Sequence, residues 1–98
     1  MPKITVNNIS NKSTLYELQV MAICSQLKYM DAWSLKDTNT ERIARIINDD
    51  IAKLPRRSVG SAEVFYKAVV VSNARVVVNH LNIHGEVDKV VAEINYES

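Results

Sequence analysis

The stretch from Ser61 to His84 constrains the fold of this chain more than any other. It contains neither glycine nor proline and is crowded with valine: Val64, Val69, Val70, Val71, Val76, Val77 and Val78. Such a run is either one long helix or a β-hairpin, and the choice sets the fold class. β-Branched side chains favour strands. Three other features favour a helix. Ser61 is a suitable N-cap, with Glu63 in the first turn, where the helix dipole favours a carboxylate. On a helix, Glu63, Lys67, Arg75, Asn79 and Asn82 form one polar stripe, and Val70, Ala74, Val77, Val78 and Leu81 form an apolar one. No Asn-Gly or Asp-Gly turn separates the two valine runs. Together these predict a helix closed by Gly85 as its C-terminal cap.

The rest of the chain reads mostly as helix. Lys3 to Ile9 alternates apolar and polar residues and predicts a short strand. Thr14-x-x-Glu17 has the spacing of a capping box, opening a first helix that runs to about Trp33. Leu15, Leu18, Val20, Met21, Ala22, Ile23, Cys24, Leu27 and Met30 cover more than one narrow stripe of it, while Glu17, Gln19, Gln26 and Lys28 leave a limited solvent face. That pattern predicts a central helix packed on two sides. Thr38-x-x-Glu41 is a second capping box, after a loop from Asp37 to Thr40. The helix that follows turns Ile43, Ile46, Ile47, Ile51 and Leu54 to one side, puts Arg42, Arg45, Asp49 and Lys53 opposite, and stops at Pro55. Val87, Val90, Val91 and Ile94 have helical spacing, so a last short helix is expected from Glu86 to Tyr96.

The architecture predicted is therefore mainly α: one compact domain over residues 1–98 with three to four helices and a short N-terminal strand. The alternative is α+β, with two helices on a small antiparallel sheet built from the Val-rich hairpin, the N-terminal strand and the C-terminal segment. With two glycines and two prolines, a many-turned β-sandwich is excluded. The 98 residues, 47% hydrophobic and 23% charged, fit a globular domain. A net charge of +1 lacks the basic footprint of a dedicated nucleic-acid binder. Cys24 is the only cysteine, so it is expected to be a buried small hydrophobe and not part of a disulfide or cysteine zinc site. No apolar run approaches the ~20 residues of a membrane span, and Met1-Pro2-Lys3 begins no secretory signal, which places the chain in the cytoplasm.

Three constellations are candidates for chemistry. Arg75-Val76-Val77-Val78-Asn79-His80 resembles the Arg-x4-His motif of HEPN-type ribonucleases, a helical and often dimeric family. The resemblance, carried by two residues, implies that Arg75 and His80 act on a 2′-hydroxyl and a scissile phosphate. His80, His84 and Asp88 succeed one another at intervals of four, a metal-ligand spacing if one helix carries them all. Lys53, Arg56 and Arg57 form a small basic cluster after a helix end, suited to a phosphate backbone or an acidic partner, and equally to stabilising that helix end. No phosphate-binding glycine loop is present.

None of these assembles a complete site, so no catalytic residue, metal or cofactor is assigned. The expectation is a non-enzymatic protein that binds a protein partner, as a homo-oligomer. An adaptor, subunit or inhibitor of a larger bacterial or phage machinery fits the size and lack of motifs. A chain this short buries only ~60–65% of its unfolded surface and gains stability by association. Weak nucleic-acid binding through the basic cluster and HEPN-like cleavage are the alternatives.

Overall fold

The computed structural model describes residues 3–9, 15–29, 37–55 and 65–97. The elements in chain order are β1 (Lys3–Asn8), α1 (Leu15–Gln26, tightening into a 3₁₀ turn at Leu27–Tyr29), α2 (Thr40–Ala52), β2 (Tyr66–Ser72), β3 (Arg75–Leu81) and β4 (Val87–Glu97). The four strands form one antiparallel sheet in the order β1-β4-β3-β2. This overturns the mainly α prediction. The chain is α+β, with two helices against a four-stranded sheet, and the predicted third and fourth helices are strands.

The valine runs decide this. Val69 pairs with Val77 and Val70 with Val76 across β2 and β3. There the branched side chains pack on a pleated surface without losing χ1 freedom to a helical turn. The missing Asn-Gly signal proves unnecessary. The turn at Asn73-Ala74 closes without any non-glycine residue at positive φ, and the register shifts between Val70 and Ser72. A bulge there supplies the twist that a primed turn would otherwise provide. The second hairpin joins β3 to β4 through a loop organised by Asn82. Its Oδ1 accepts from the His84 and Glu86 backbone N–H groups at 2.9 and 3.0 Å. Gly85 is not a helix cap; it takes the left-handed position of this loop, at φ +77°.

Two register shifts along β4 explain its helix-like pattern. Val78 pairs with Ala92 but Asn79 pairs with Val90, so Val91 is an extra residue, and both Val91 and Ala92 are buried. A bulge breaks the two-residue alternation that would mark a strand.

The helices behave more as read. In α2, Ile43, Ile47 and Ile51 are fully buried, and Ile46 and Leu54 pack partly against the core. The cap is Asn39, one residue past the predicted Thr38, and its side chain accepts the Arg42 N–H at 2.9 Å. In α1, Val20, Cys24 and Leu27 point into the same core, against Val76, Val78, Val91, Ala92 and Ile94 of the sheet. Each large buried apolar side chain contributes about 1.5–3 kcal/mol. Thr14, Ser61 and Trp33, which bear on the predicted caps and helix end, lie outside the described residues. No helix among the described residues is long and apolar enough to cross a membrane.

Helix α2 also closes one side of the sheet. Its Asn48 side chain accepts the Ala68 N–H at 2.8 Å and donates to the Ala68 carbonyl at 3.0 Å. Its Thr40 hydroxyl donates to the Ser72 carbonyl at 3.1 Å. The outward-pointing main-chain groups of Ala68 and Ser72 on the edge strand β2 are thereby engaged.

Candidate functional site

The strand registers gather polar side chains at one end of the sheet. Tyr66, His80 and Lys89 lie side by side across β2, β3 and β4 on the face toward the helices. From the first turn of α1, Glu17 reaches down to them, its side chain only 3% exposed. Lys89 Nζ lies 3.0 Å from Glu17 Oε1, at ion-pair distance but without the angle of a directed hydrogen bond. The Tyr66 hydroxyl donates to Glu17 Oε2 at 3.4 Å. The Tyr66 ring meets His80 edge-on at 5.0 Å and Tyr16 edge-on at 6.5 Å. His80 Nδ1 in turn lies 3.1 Å from Asp88 Oδ2.

Sequence reading missed the centre of this cluster by placing Glu17 on the solvent face. A buried carboxylate requires a cationic or hydrogen-bonding partner, and Lys89 is 72 residues away in sequence. Chemically the cluster is a clamp between α1 and the sheet. Asp88 at Nδ1 orients the His80 ring, as in many base dyads. No hydroxyl or thiol nucleophile among the described residues is shown within hydrogen-bond reach of it. The lone cysteine is elsewhere in the core, where burial pushes the Cys24 thiol up from 9.0 to about 12.

The structure separates Arg75 from His80. Five residues apart on one strand, they project from opposite faces of the sheet, about 16 Å apart along it. Arg75 forms an ion pair with Glu93 on the face away from the helices. The helical spacing on which the ribonuclease resemblance depends is absent. His84 sits in the β3–β4 loop, not on a helix with His80 and Asp88. His80 and Asp88 do meet, but across the hairpin. No group of three His, Cys, Asp or Glu residues suited to a metal ion occurs among the described residues. Lys53 caps the C-terminal end of α2 and pairs with Asp50 at 3.8 Å, with its side chain 78% exposed. Arg56 and Arg57 lie outside the described residues.

A cleft of about 350 Å³ opens between the start of α2 and the β2–β3 turn, lined by Asn39, Thr40, Glu41, Val70, Ser72 and Asn73. Asn39 and Thr40 are already committed within the protein, to the Arg42 N–H and the Ser72 carbonyl.

The outer face of α1 is different. Leu15, Leu18, Ala22, Gln26 and Tyr29 recur at intervals of three and four, and all are exposed. Leu15, Leu18 and Tyr29 are 60%, 52% and 86% exposed. The helix was predicted to pack on two sides. One side packs on the sheet; the second, still apolar, faces outward with no formal charge along it. The excess of apolar residues over one stripe was the sequence signal for this surface.

The chain matches no protein-family model, no curated protein and no solved structure.

Proposed function

We propose that this chain is a small non-enzymatic interaction domain, working in the cytoplasm as a homo-oligomeric adaptor, subunit or inhibitor. It binds a protein partner through the outer face of α1. The observation that carries this reading is the exposed, uncharged stripe of Leu15, Leu18, Ala22 and Tyr29. Leucines and a tyrosine displayed together are suited to anchor residues, which are large apolar or amphipathic groups seated in a partner's pocket. The small Ala22 between them lets a partner backbone approach closely. The fitting partner presents an apolar, uncharged groove or helix face, because a charged one would lose its hydration without gaining a counter-charge.

The test is affinity purification with wild type and with Leu15→Glu combined with Leu18→Glu. Both positions are exposed, so the double variant is expected to fold and to lose the retained protein. A variant that still retains it moves the contact off α1. A wild type that retains RNA or DNA and no protein, with binding that falls steeply as salt is added, replaces this reading with nucleic-acid binding through Lys53, Arg56 and Arg57.

A further inference from the structure

The two edges of the sheet are treated differently. Along β2, the outward peptide groups at Ala68 and Ser72 are engaged by Asn48 and Thr40. Along β1 the ladder to β4 uses one alternating set of residues. Ile9 donates its N–H to the Val91 carbonyl, which fixes the odd-numbered residues as the set facing β4. The N–H and carbonyl groups of Ile4, Val6 and Asn8 therefore point outward. Among the described residues, the one hydrogen bond these three residues make beyond the sheet is from the Asn8 side chain to Ser25 Oγ. Proteins normally blunt such an edge with a bulge, a proline or a covering element; Ile4 to Asn8 carries no bulge or proline, and no strand or helix among the described residues pairs with its outer edge.

We propose that this edge is completed by a second copy of the chain, β1 pairing antiparallel with β1 about a two-fold axis at Val6. The proposal rests on the reading above that the protein acts by association, and it names the self-contact. In this register Ile4 faces Asn8 of the second copy and Val6 faces Val6, so each outward peptide group meets a complementary one. Each such pair exchanges two main-chain hydrogen bonds. The charges are compatible: Lys3, the only charged residue of β1, lies opposite Ile9 of the second copy and not opposite another lysine. Ile9 is 44% exposed and the Val6 side chain half-buried, so the seam also covers apolar surface. Because α2 already engages Ala68 and Ser72 on the β2 edge, the contact is isologous, β1 on β1. It closes as a dimer with an eight-stranded sheet and does not propagate into a filament.

The register is testable because Thr5 faces Asn7 of the second copy in a close, non-hydrogen-bonded pair. Both are exposed on the sheet face away from α1. Thr5→Lys with Asn7→Lys sets like charges against each other twice across the axis. Thr5→Glu with Asn7→Lys sets opposite charges there instead. Sedimentation of the wild type is expected to give twice 11.1 kDa. The Lys/Lys variant is expected to weaken the dimer about tenfold or more, and the Glu/Lys variant to restore it. Hydrogen exchange read residue by residue gives the second readout. Amides of Ile4, Val6 and Asn8 are protected in the dimer and lose protection in the Lys/Lys variant. Those of Thr5 and Asn7, bonded to β4, stay protected in both, which separates loss of the dimer from loss of the fold.

A wild type that is monomeric at concentrations on the order of 100 μM overturns the proposal. So does a dimer indifferent to both variants, or edge amides protected only when another protein is added. Partner capture that is lost with Leu15→Glu and Leu18→Glu while the dimer persists bears on the α1 surface alone. A dimer unmoved by the β1 variants bears on the edge alone.

Discussion

Asn48 pairs with Ala68 as a neighbouring strand would, taking its N–H at 2.8 Å and giving a hydrogen to its carbonyl at 3.0 Å. One side chain on α2 thus completes a peptide group that would otherwise stand unpaired at the edge of the sheet.

Asn48→Ala is expected to lower stability by about 2 kcal/mol, because both polar groups of Ala68 lose their partner in a part-buried place. Asn48→Asp, which keeps an acceptor and loses the donor, should fall between. Urea unfolding measures both. The alanine variant should also aggregate more readily, as light scattering would show, because it frees a second edge. An Asn48→Ala protein as stable as wild type would mean that water satisfies Ala68 equally well.

Lys89→Met removes the cation beside the buried carboxylate of Glu17. Lys89 is 40% exposed, so the loss should be smaller than for a fully buried pair, about 1–3 kcal/mol. Glu17→Met combined with Lys89→Met should recover much of it, since no buried charge is then left behind. A double-mutant cycle in denaturant gives the coupling. Simple additivity of the two single effects would remove Glu17–Lys89 from the account of how α1 is held to the sheet.

Burial pushes the Cys24 thiol up from its ordinary 9.0 to about 12 in the folded chain. Between those values the unfolded chain gives up the proton and the folded chain keeps it. This contribution to stability is complete below pH 9 and is lost as pH rises toward 12, by at most ~1.4 kcal/mol per pH unit. Wild type should therefore lose stability faster than Cys24→Ala over that range. A colorimetric thiol reagent should label the unfolded chain only. Rapid labelling of the native protein would contradict the burial.

Gly85 holds φ +77°, and a Cβ placed there would meet nothing within 4 Å. Gly85→Ala should cost about 1 kcal/mol from backbone strain alone, and Gly85→Asn less, because asparagine tolerates the left-handed region. Thermal unfolding separates the two. A stabilising Gly85→Ala would show that the loop relaxes to another turn.

What the sequence made legible depended on whether a pattern belonged to one period only. Ile43, Ile47 and Ile51, with Ile46 between, fit a helix and no strand, and α2 forms where they place it. Lys3 to Ile9 alternates cleanly and becomes β1. Lys67, Arg75 and Asn79 misled because their separations are multiples of four. That spacing keeps residues on one stripe of a helix and also on one face of a strand. On β4 the extra residue at Val91 shifted the alternation into something close to helical spacing. The polar cluster was illegible for another reason. Glu17, Tyr66, His80 and Lys89 come from four elements, and only the registers of two hairpins and the seat of α1 bring them together. The apolar outer face of α1 was visible as an excess of leucine, but its exposure was not.

The pairing of β1 with β4 also sets an order of assembly. The β2–β3 and β3–β4 hairpins close across short loops, whereas joining Asn8 to Ala92 closes a loop of more than eighty residues, at an entropic cost of ~4 kcal/mol. The three-stranded meander is thus the cheap, local part, and β1 is the distant strand that docks on it. During synthesis β1 is made about eighty residues before β4, the strand it pairs with. Until β4 emerges, both edges of β1 are bare, and that interval is when a nascent chain depends most on being kept from its neighbours.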